Sequence, residues 1–128
     1  MLLNLSNHLS SAWSEKQINA AAAQFGKVVD LPFPQINPDW KFLQIEEFSG
    51  ELLMDILKDC EFRKYGKKNL TVHIMGELTF CYEMINALKI AGIPCVASTT
   101  TRNSIVDEIG KKISVFEFVK FREYFTKN

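Results

Sequence analysis

Apolar positions in this chain alternate between short runs and helical stripes, with polar breaks between them. Residues 1–5 form a short apolar run that ends in Ser6, Asn7 and His8, the pattern of a buried strand entering a loop over residues 6–11. Ser14 reads as a helix N-cap with Gln17 as its capping-box partner, and Ile18, Ala21, Ala22 and Phe25 follow at helical spacing up to a stop at Gly26. Residues 28–31 form a second strand, ended by Pro32 and Pro34, which lack a backbone donor. After a loop over 35–40, residues 42–65 read as helix, with Leu52, Leu53, Ile56, Leu57 and Cys60 on one side and Ser49-Gly50 as a point where it can split.

A turn over 66–69 leads to a third strand over 70–75, interrupted only by His73. Gly76 ends that strand. A helix over 77–91 carries Leu78, Tyr82, Ile85 and Leu88 along a stripe; Gly92 caps it, and Pro94 opens a fourth strand over 95–98. The stretch 99–106 is strand-like, Gly110-Lys111-Lys112 is turn-like, and 113–119 is a fifth strand, so the end of the chain reads as an antiparallel hairpin.

This order predicts one α/β domain over residues 1–128. Its fold is Rossmann-like: a mostly parallel five-stranded sheet with helices on both faces and a C-terminal antiparallel hairpin. Right-handed crossovers place the second and third strands on either side of the first. The switch point then lies between strands one and three, where such sheets bind ligands beyond the carboxyl ends of their strands. It brings the loop 6–11 beside 76–80, with the polar stretch 98–102 next along the same rim.

Composition narrows the function. Of 128 residues, 15 are Lys or Arg and 15 are Asp or Glu, a zero net charge that excludes a duplex nucleic-acid binder working by bulk electrostatics. Ten Phe and two Trp supply a bulky core and argue against disorder. No apolar run approaches membrane-spanning length, and the start lacks the basic region of a signal peptide, so a cytoplasmic protein without a membrane partner is expected. The three cysteines are far apart, which suits small apolar fillers in a reduced compartment. His8 and His73 make no zinc-type cluster, and neither a metal nor a cofactor is expected. There is no P-loop, no dinucleotide fingerprint and no nucleophile elbow. A Ser-His-acid triad has no support in the residue pattern: Ser6 and His8 are too local, and no acid is defined.

Three rim loops carry the candidate chemistry. In the first, Ser6, Asn7, Ser10 and Ser11 offer hydroxyls and an amide, and His8 offers an imidazole suited to proton transfer; the same residues suit turn hydrogen bonds. In the second, Gly76 admits a ligand to the backbone, and Glu77 and Thr79 either contact a ribose or adenine or simply cap the helix. In the third, Ser98, Thr99 and Thr100 lead to Arg102, whose planar fork of donors suits phosphate; Thr also favours strands for its own sake.

The opening strand with Ser6-x-His8, then Ser14-x-x-Gln17, the Gly76-Glu77 turn and the stretch Ser98-Thr99-Thr100-Thr101-Arg102 resemble the small single-domain CARF-like accessory proteins of type III CRISPR systems, some of which are ring nucleases. Here Asn7 separates Ser6 from His8. The resemblance implies a homodimer that binds cyclic oligoadenylate, the tetra-adenylate first, at a two-fold interface. It also implies metal-independent cleavage of that second messenger in antiviral defence. The ribose 2′-hydroxyl would attack the adjacent phosphodiester, with His8 and Arg102 as catalytic groups and Ser6, Asn7, Ser10, Ser11, Gly76, Glu77, Thr79, Ser98, Thr99 and Thr100 binding the ligand. The alternatives are a non-catalytic sponge or sensor of the same ligand, and an unrelated small Rossmann-like protein such as a nucleotide binder or toxin–antitoxin partner.

Overall fold

Alternation along the first strand divides the whole protein. Leu3 and Leu5 point to one side of the sheet and enter one core cluster; Leu2 points to the other side and enters a second. The computed structural model describes residues 1–59 and 69–126. Its elements are β1 (Leu2–Ser6), a 3₁₀ turn (Ser10–Ala12), α1 (Glu15–Phe25), β2 (Val28–Asp30), α2 (Phe42–Lys58), β3 (Thr71–Met75), α3 (Leu78–Ile90), β4 (Cys95–Val106) and β5 (Lys112–Glu123).

The sheet has five strands in the order β2-β1-β3-β4-β5. β1 pairs in parallel with β2 and β3, β3 pairs in parallel with β4, and β4 pairs antiparallel with β5. The architecture is therefore the expected Rossmann-like one, with the switch point between β1 and β3. The larger core packs Leu3, Leu5, Val72, Ile74 and Cys95 against Ile45 and Ile56 of α2 and Phe80, Met84 and Leu88 of α3. The smaller packs Leu2, Val96, Phe118 and Phe121 against Trp13 and Ala21, with Ala20, Phe25 and Val28 at its margin. Helices thus cover both faces, α1 on one and α2 with α3 on the other.

Several boundaries differ from those expected. α2 runs unbroken to Lys58 through Ser49 and Gly50, because its Ile45 and Ile56 stripe packs on the sheet and holds both residues in helix. Residues 60–68, which include Cys60 and most of the expected turn, lie outside the described residues. The expected fourth strand and hairpin arm are one 12-residue strand, β4, and its partner β5 has the same length. A shift of register between Thr99 and Thr100 bends this ribbon where it leaves the parallel sheet. The aromatic tail is divided by depth: Phe118 and Phe121 are core, whereas Phe116 is exposed on the arm.

The α2 helix supplies a stability test. Gly50 has open space around its missing Cβ, and the Ser49 hydroxyl is fully buried without a hydrogen-bond partner. Gly50→Ala is expected to stabilise the fold by about 0.5–1 kcal/mol and Ser49→Ala by about 1 kcal/mol. Urea unfolding monitored by circular dichroism checks both; a fall in the midpoint of either variant contradicts the packing described for α2.

Candidate functional site

The α1 face of the sheet turns polar toward the carboxyl ends of its strands. Asp30, Asn4 and His73 are aligned neighbours on β2, β1 and β3. Their side chains, with those of Ser6 and Ser98, project from this face by strand alternation. Asn4 is almost fully buried, and all four of its hydrogen-bonding positions are used. Its Nδ2 donates to the His8 carbonyl at 2.8 Å and to Asp30 Oδ1 at 2.8 Å. Its Oδ1 accepts from Ser6 Oγ at 2.8 Å and from His73 Nδ1 at 2.9 Å. Because Asn4 Oδ1 has no proton to give, His73 carries its hydrogen on Nδ1. His73 Nε2 is then an acceptor, and Ser98 Oγ stands 3.3 Å from it.

The chain continues outward at the other end. Ser10 donates to Asp30 from its backbone N–H at 2.9 Å and from Oγ at 2.7 Å. Burial works to raise the Asp30 pKa, but the hydrogen bonds from Asn4 and Ser10 outweigh it and hold the carboxyl below its ordinary value. The His73 ring is only 2% exposed and lies edge-on to Trp13, with centroids 5.2 Å apart, and to Phe121, at 5.6 Å. Burial in these aromatic surroundings pushes its pKa down to about 4, so the ring is neutral near pH 7.

An open cavity of about 740 Å³ lies over this chain. Ser6, Asn7, His8, Trp13, Gln17, His73, Met75, Gly76, Ser98, Thr100, Phe116 and Phe118 are among its lining residues. It exists because α1 packs mainly over the amino-terminal half of its face, against Leu2, Val28 and Val96, and leaves the carboxyl half to Trp13 and the aromatic side chains of β5. Among the described residues, no group of three or more His, Cys, Asp or Glu is placed to hold a metal ion. No helix among them is long and apolar enough to cross a membrane.

Of the residues expected at the rim, the structure brings Ser6, Asn7, His8, Gly76, Ser98 and Thr100 to the cavity. Ser6 faces inward to Asn4 and the His8 carbonyl. Ser10 anchors Asp30, and Ser11 is exposed in the 3₁₀ turn outside the cavity wall. Gly76 has a different reason from the one expected: a Cβ there would stand 2.3 Å from the Phe33 ring, so the missing side chain admits Phe33. Glu77 and Thr79 serve the helix. The Glu77 carboxylate accepts from Thr79 Oγ1 and from the Phe80 N–H, bonds that lower its pKa and fill the N-terminus of α3 with its own anion. Thr99 turns away from α1 and bonds the Lys120 backbone at the bulge. Arg102 lies out on the ribbon, bonded through Nε and a terminal nitrogen to Ser114 Oγ and stacked over Phe116, outside the cavity wall.

The residues missed were Asn4, Asp30 and His73. Their signal was available: Asn4 and His73 are polar positions inside otherwise apolar strands, and Asp30 ends a third. The cysteines are as expected where described. Cys81 and Cys95 are free and buried, and burial raises their thiols to about 11 and about 12.

Residues 1–122 match the model of the Uncharacterized protein MJ1673 family. No curated protein and no solved structure matches the chain.

Two measurements follow from the site. The folded His73 pKa of about 4 lies below its ordinary value of 6.5, so the stability linked to this neutral ring is complete above about pH 6.5 and is lost as pH falls toward 4. The loss is on the order of 3 kcal/mol. Denaturant unfolding at a series of pH values should show this slope, and a folded His73→Gln variant should lack it. Gly76→Ala is expected to cost about 1–3 kcal/mol through collision with Phe33. In a double-mutant cycle, Gly76→Ala should cost little further once Phe33→Ala is present; an undiminished cost contradicts the contact.

Proposed function

The chain belongs to the MJ1673 family, and we propose that its rim cavity binds a cyclic oligoadenylate, cyclic tetra-adenylate first, between two copies of the chain and cleaves it as a metal-independent ring nuclease that ends type III CRISPR signalling. One observation carries this reading: the cavity lies beyond the carboxyl ends of β1 and β3 and combines hydroxyls, an amide and an imidazole with aromatic walls. Ser6, Asn7 and Thr100 suit ribose and phosphate oxygens, and Trp13, Phe116 and Phe118 suit adenine faces.

Among the described residues, the cavity wall has no lysine or arginine. Phosphate charge is met at the outer rim by Arg102, which shares the sheet face of Thr100 and Phe118, and by the same residues of a second protomer across a two-fold axis. The ring brings its own nucleophile. A ribose 2′-oxygen bonds to the adjacent phosphorus, the bond to the 5′-oxygen breaks, and the products are a 2′,3′-cyclic phosphate and a 5′-hydroxyl. His8, exposed at the rim with its carbonyl fixed by Asn4 and Ser6, moves the proton.

Incubation of the protein with radiolabelled cyclic oligoadenylates of several sizes in EDTA tests the reading. The expected result is linear product ending in a cyclic phosphate, and a dimer by light scattering. Arg102→Ala should weaken binding about 10–100-fold. His8→Ala should slow turnover about 10²–10⁴-fold while binding holds. Tight binding with an intact ring makes the protein a sponge or sensor; no binding at micromolar concentration removes the reading altogether.

A further inference from the structure

The hydrogen-bonded chain across the α1 face has the composition and order of a nucleophile relay, and it ends at a hydroxyl in the cavity wall. Four adjacent strands contribute one residue each: Asp30 from β2, Asn4 from β1, His73 from β3 and Ser98 from β4. The links are Asp30 Oδ1 to Asn4 Nδ2 at 2.8 Å, Asn4 Oδ1 to His73 Nδ1 at 2.9 Å, and His73 Nε2 to Ser98 Oγ at 3.3 Å. We propose that Ser98 is an activated serine nucleophile, with His73 as its general base and Asn4 and Asp30 as the groups that orient the imidazole, acting on uncharged esters.

Each role follows from a contact. Asn4 fixes the tautomer, so the lone pair of His73 lies on Nε2, toward Ser98. A nucleophile, a base and an amide that holds the base recur on unrelated folds, and such sites are recognised by geometry and role. The Ser98 hydroxyl also stands 3.1 Å from Met75 Sδ, a weak acceptor that competes poorly with an imidazole nitrogen. Ser98 is half-buried and lines the cavity, Asn4 and His73 are buried beneath it, and Asp30, exposed at the far end of the chain, is not in the cavity wall, so Ser98 is the member an incoming electrophile meets. Its hydroxyl lies against Met75, and the described residues of the cavity wall include no Asp, Glu, Lys or Arg, which sets the substrate as an uncharged acyl group. Burial keeps the ring neutral and its Nε2 unprotonated at ordinary pH while making it a weaker base than a free imidazole. The described cysteines are no rivals, since both thiols are buried and held protonated.

In the reaction, Ser98 Oγ bonds to the ester carbonyl carbon as its proton passes to His73 Nε2. The carbon–alkoxy bond then breaks, and the departing alkoxide takes that proton. Water, deprotonated by the same nitrogen, bonds to the acyl carbon; the bond from that carbon to Ser98 Oγ then breaks, the carboxylic acid leaves, and His73 Nε2 returns the proton to Ser98 Oγ. This inference goes beyond the nucleotide reading, in which the substrate supplies its own nucleophile.

A fluorophosphonate probe, which requires no knowledge of the natural substrate, tests it on the full chain. Ser98 Oγ displaces fluoride from phosphorus and the proton goes to His73, leaving a stable adduct. Intact mass and peptide mapping should show one adduct, on Ser98, and none in Ser98→Ala. His73→Asn, which keeps a donor facing Asn4 and removes Nε2, should slow labelling about 10²–10⁴-fold. A second measurement needs no variant. The groups facing His73 are Asn4, Ser98, Trp13 and Phe121, all uncharged, with the Asp30 carboxylate behind Asn4. Labelling assisted by a neutral imidazole stays level from about pH 8 to about pH 5, whereas an unassisted hydroxyl loses about tenfold per pH unit. No adduct on Ser98 under conditions that fully label a known serine hydrolase overturns the proposal. So does an equal rate in folded His73→Asn, or a rate that follows hydroxide.

Discussion

Asn4 is buried within the sheet on β1, between β2 and β3, where an unpaired amide would cost more than most single contacts contribute. It escapes that cost only because four separate partners meet it: Asp30 from the neighbouring strand on one side, His73 from the strand on the other, Ser6 two residues on, and the His8 carbonyl beyond the strand end. A full set of bonds in four directions leaves the amide one orientation and each neighbour one register. A slip of β2 or β3 by one residue would replace a polar partner with an apolar one. The same amide folds the loop after β1 back over the sheet, because His8 can reach Asn4 only if the chain turns directly after Ser6.

The two faces of the sheet consequently do different work. The face under α2 and α3 is apolar along its length, and long helices cover it. The face under α1 is apolar only at its amino-terminal half, where the small residues Ala20 and Ala21 pack against Leu2, Val28 and Val96. Beyond that line the polar chain begins, and a helix seated there would have to satisfy it or leave it to water. Trp13 and Phe121 shield it instead, which buries His73 while leaving Ser98 at the wall. The cavity is thus a consequence of the buried polar chain as much as of the short helix.

The strand order and the position of the rim were legible because they depend on hydrophobic period and crossover handedness, which are local and general. The helix start at Ser14 was legible for the same reason: its side chain accepts from the Gln17 N–H, as capping predicts. The chemistry was less legible because it depends on which strand positions lie side by side. Asn4 and His73 are 69 residues apart and adjacent only through the parallel register of β1 and β3. In the linear chain each looked like a polar break in a strand. Asking which polar breaks share a face and a register would have linked Asp30, Asn4 and His73. At Gly76 and Glu77 two readings stood open; Phe33 fills the space beside the glycine, and Glu77 takes the capping role, supplying the anion from within the chain.

Residues of alternate position on β4 carry the same face from the core out to solvent: Val96 in the core, Ser98 at the relay, Thr100 in the cavity wall, Arg102 over Phe116 on the free ribbon. This gradient separates the two kinds of chemistry the surface can support. In the proposed nucleotide reading a polyanion would be met where the ribbon is exposed and the guanidinium stands, and a second protomer would enclose it. In the proposed serine chemistry a neutral acyl group would be met two steps inward, where the imidazole faces Ser98. Ser98 and Arg102 stand two strand repeats apart along β4, about 13 Å. A ligand that spans this distance would place a charged group at the rim and an electrophilic centre beside Ser98 at once, so the spacing along β4, rather than any one residue, decides what the cavity can accept.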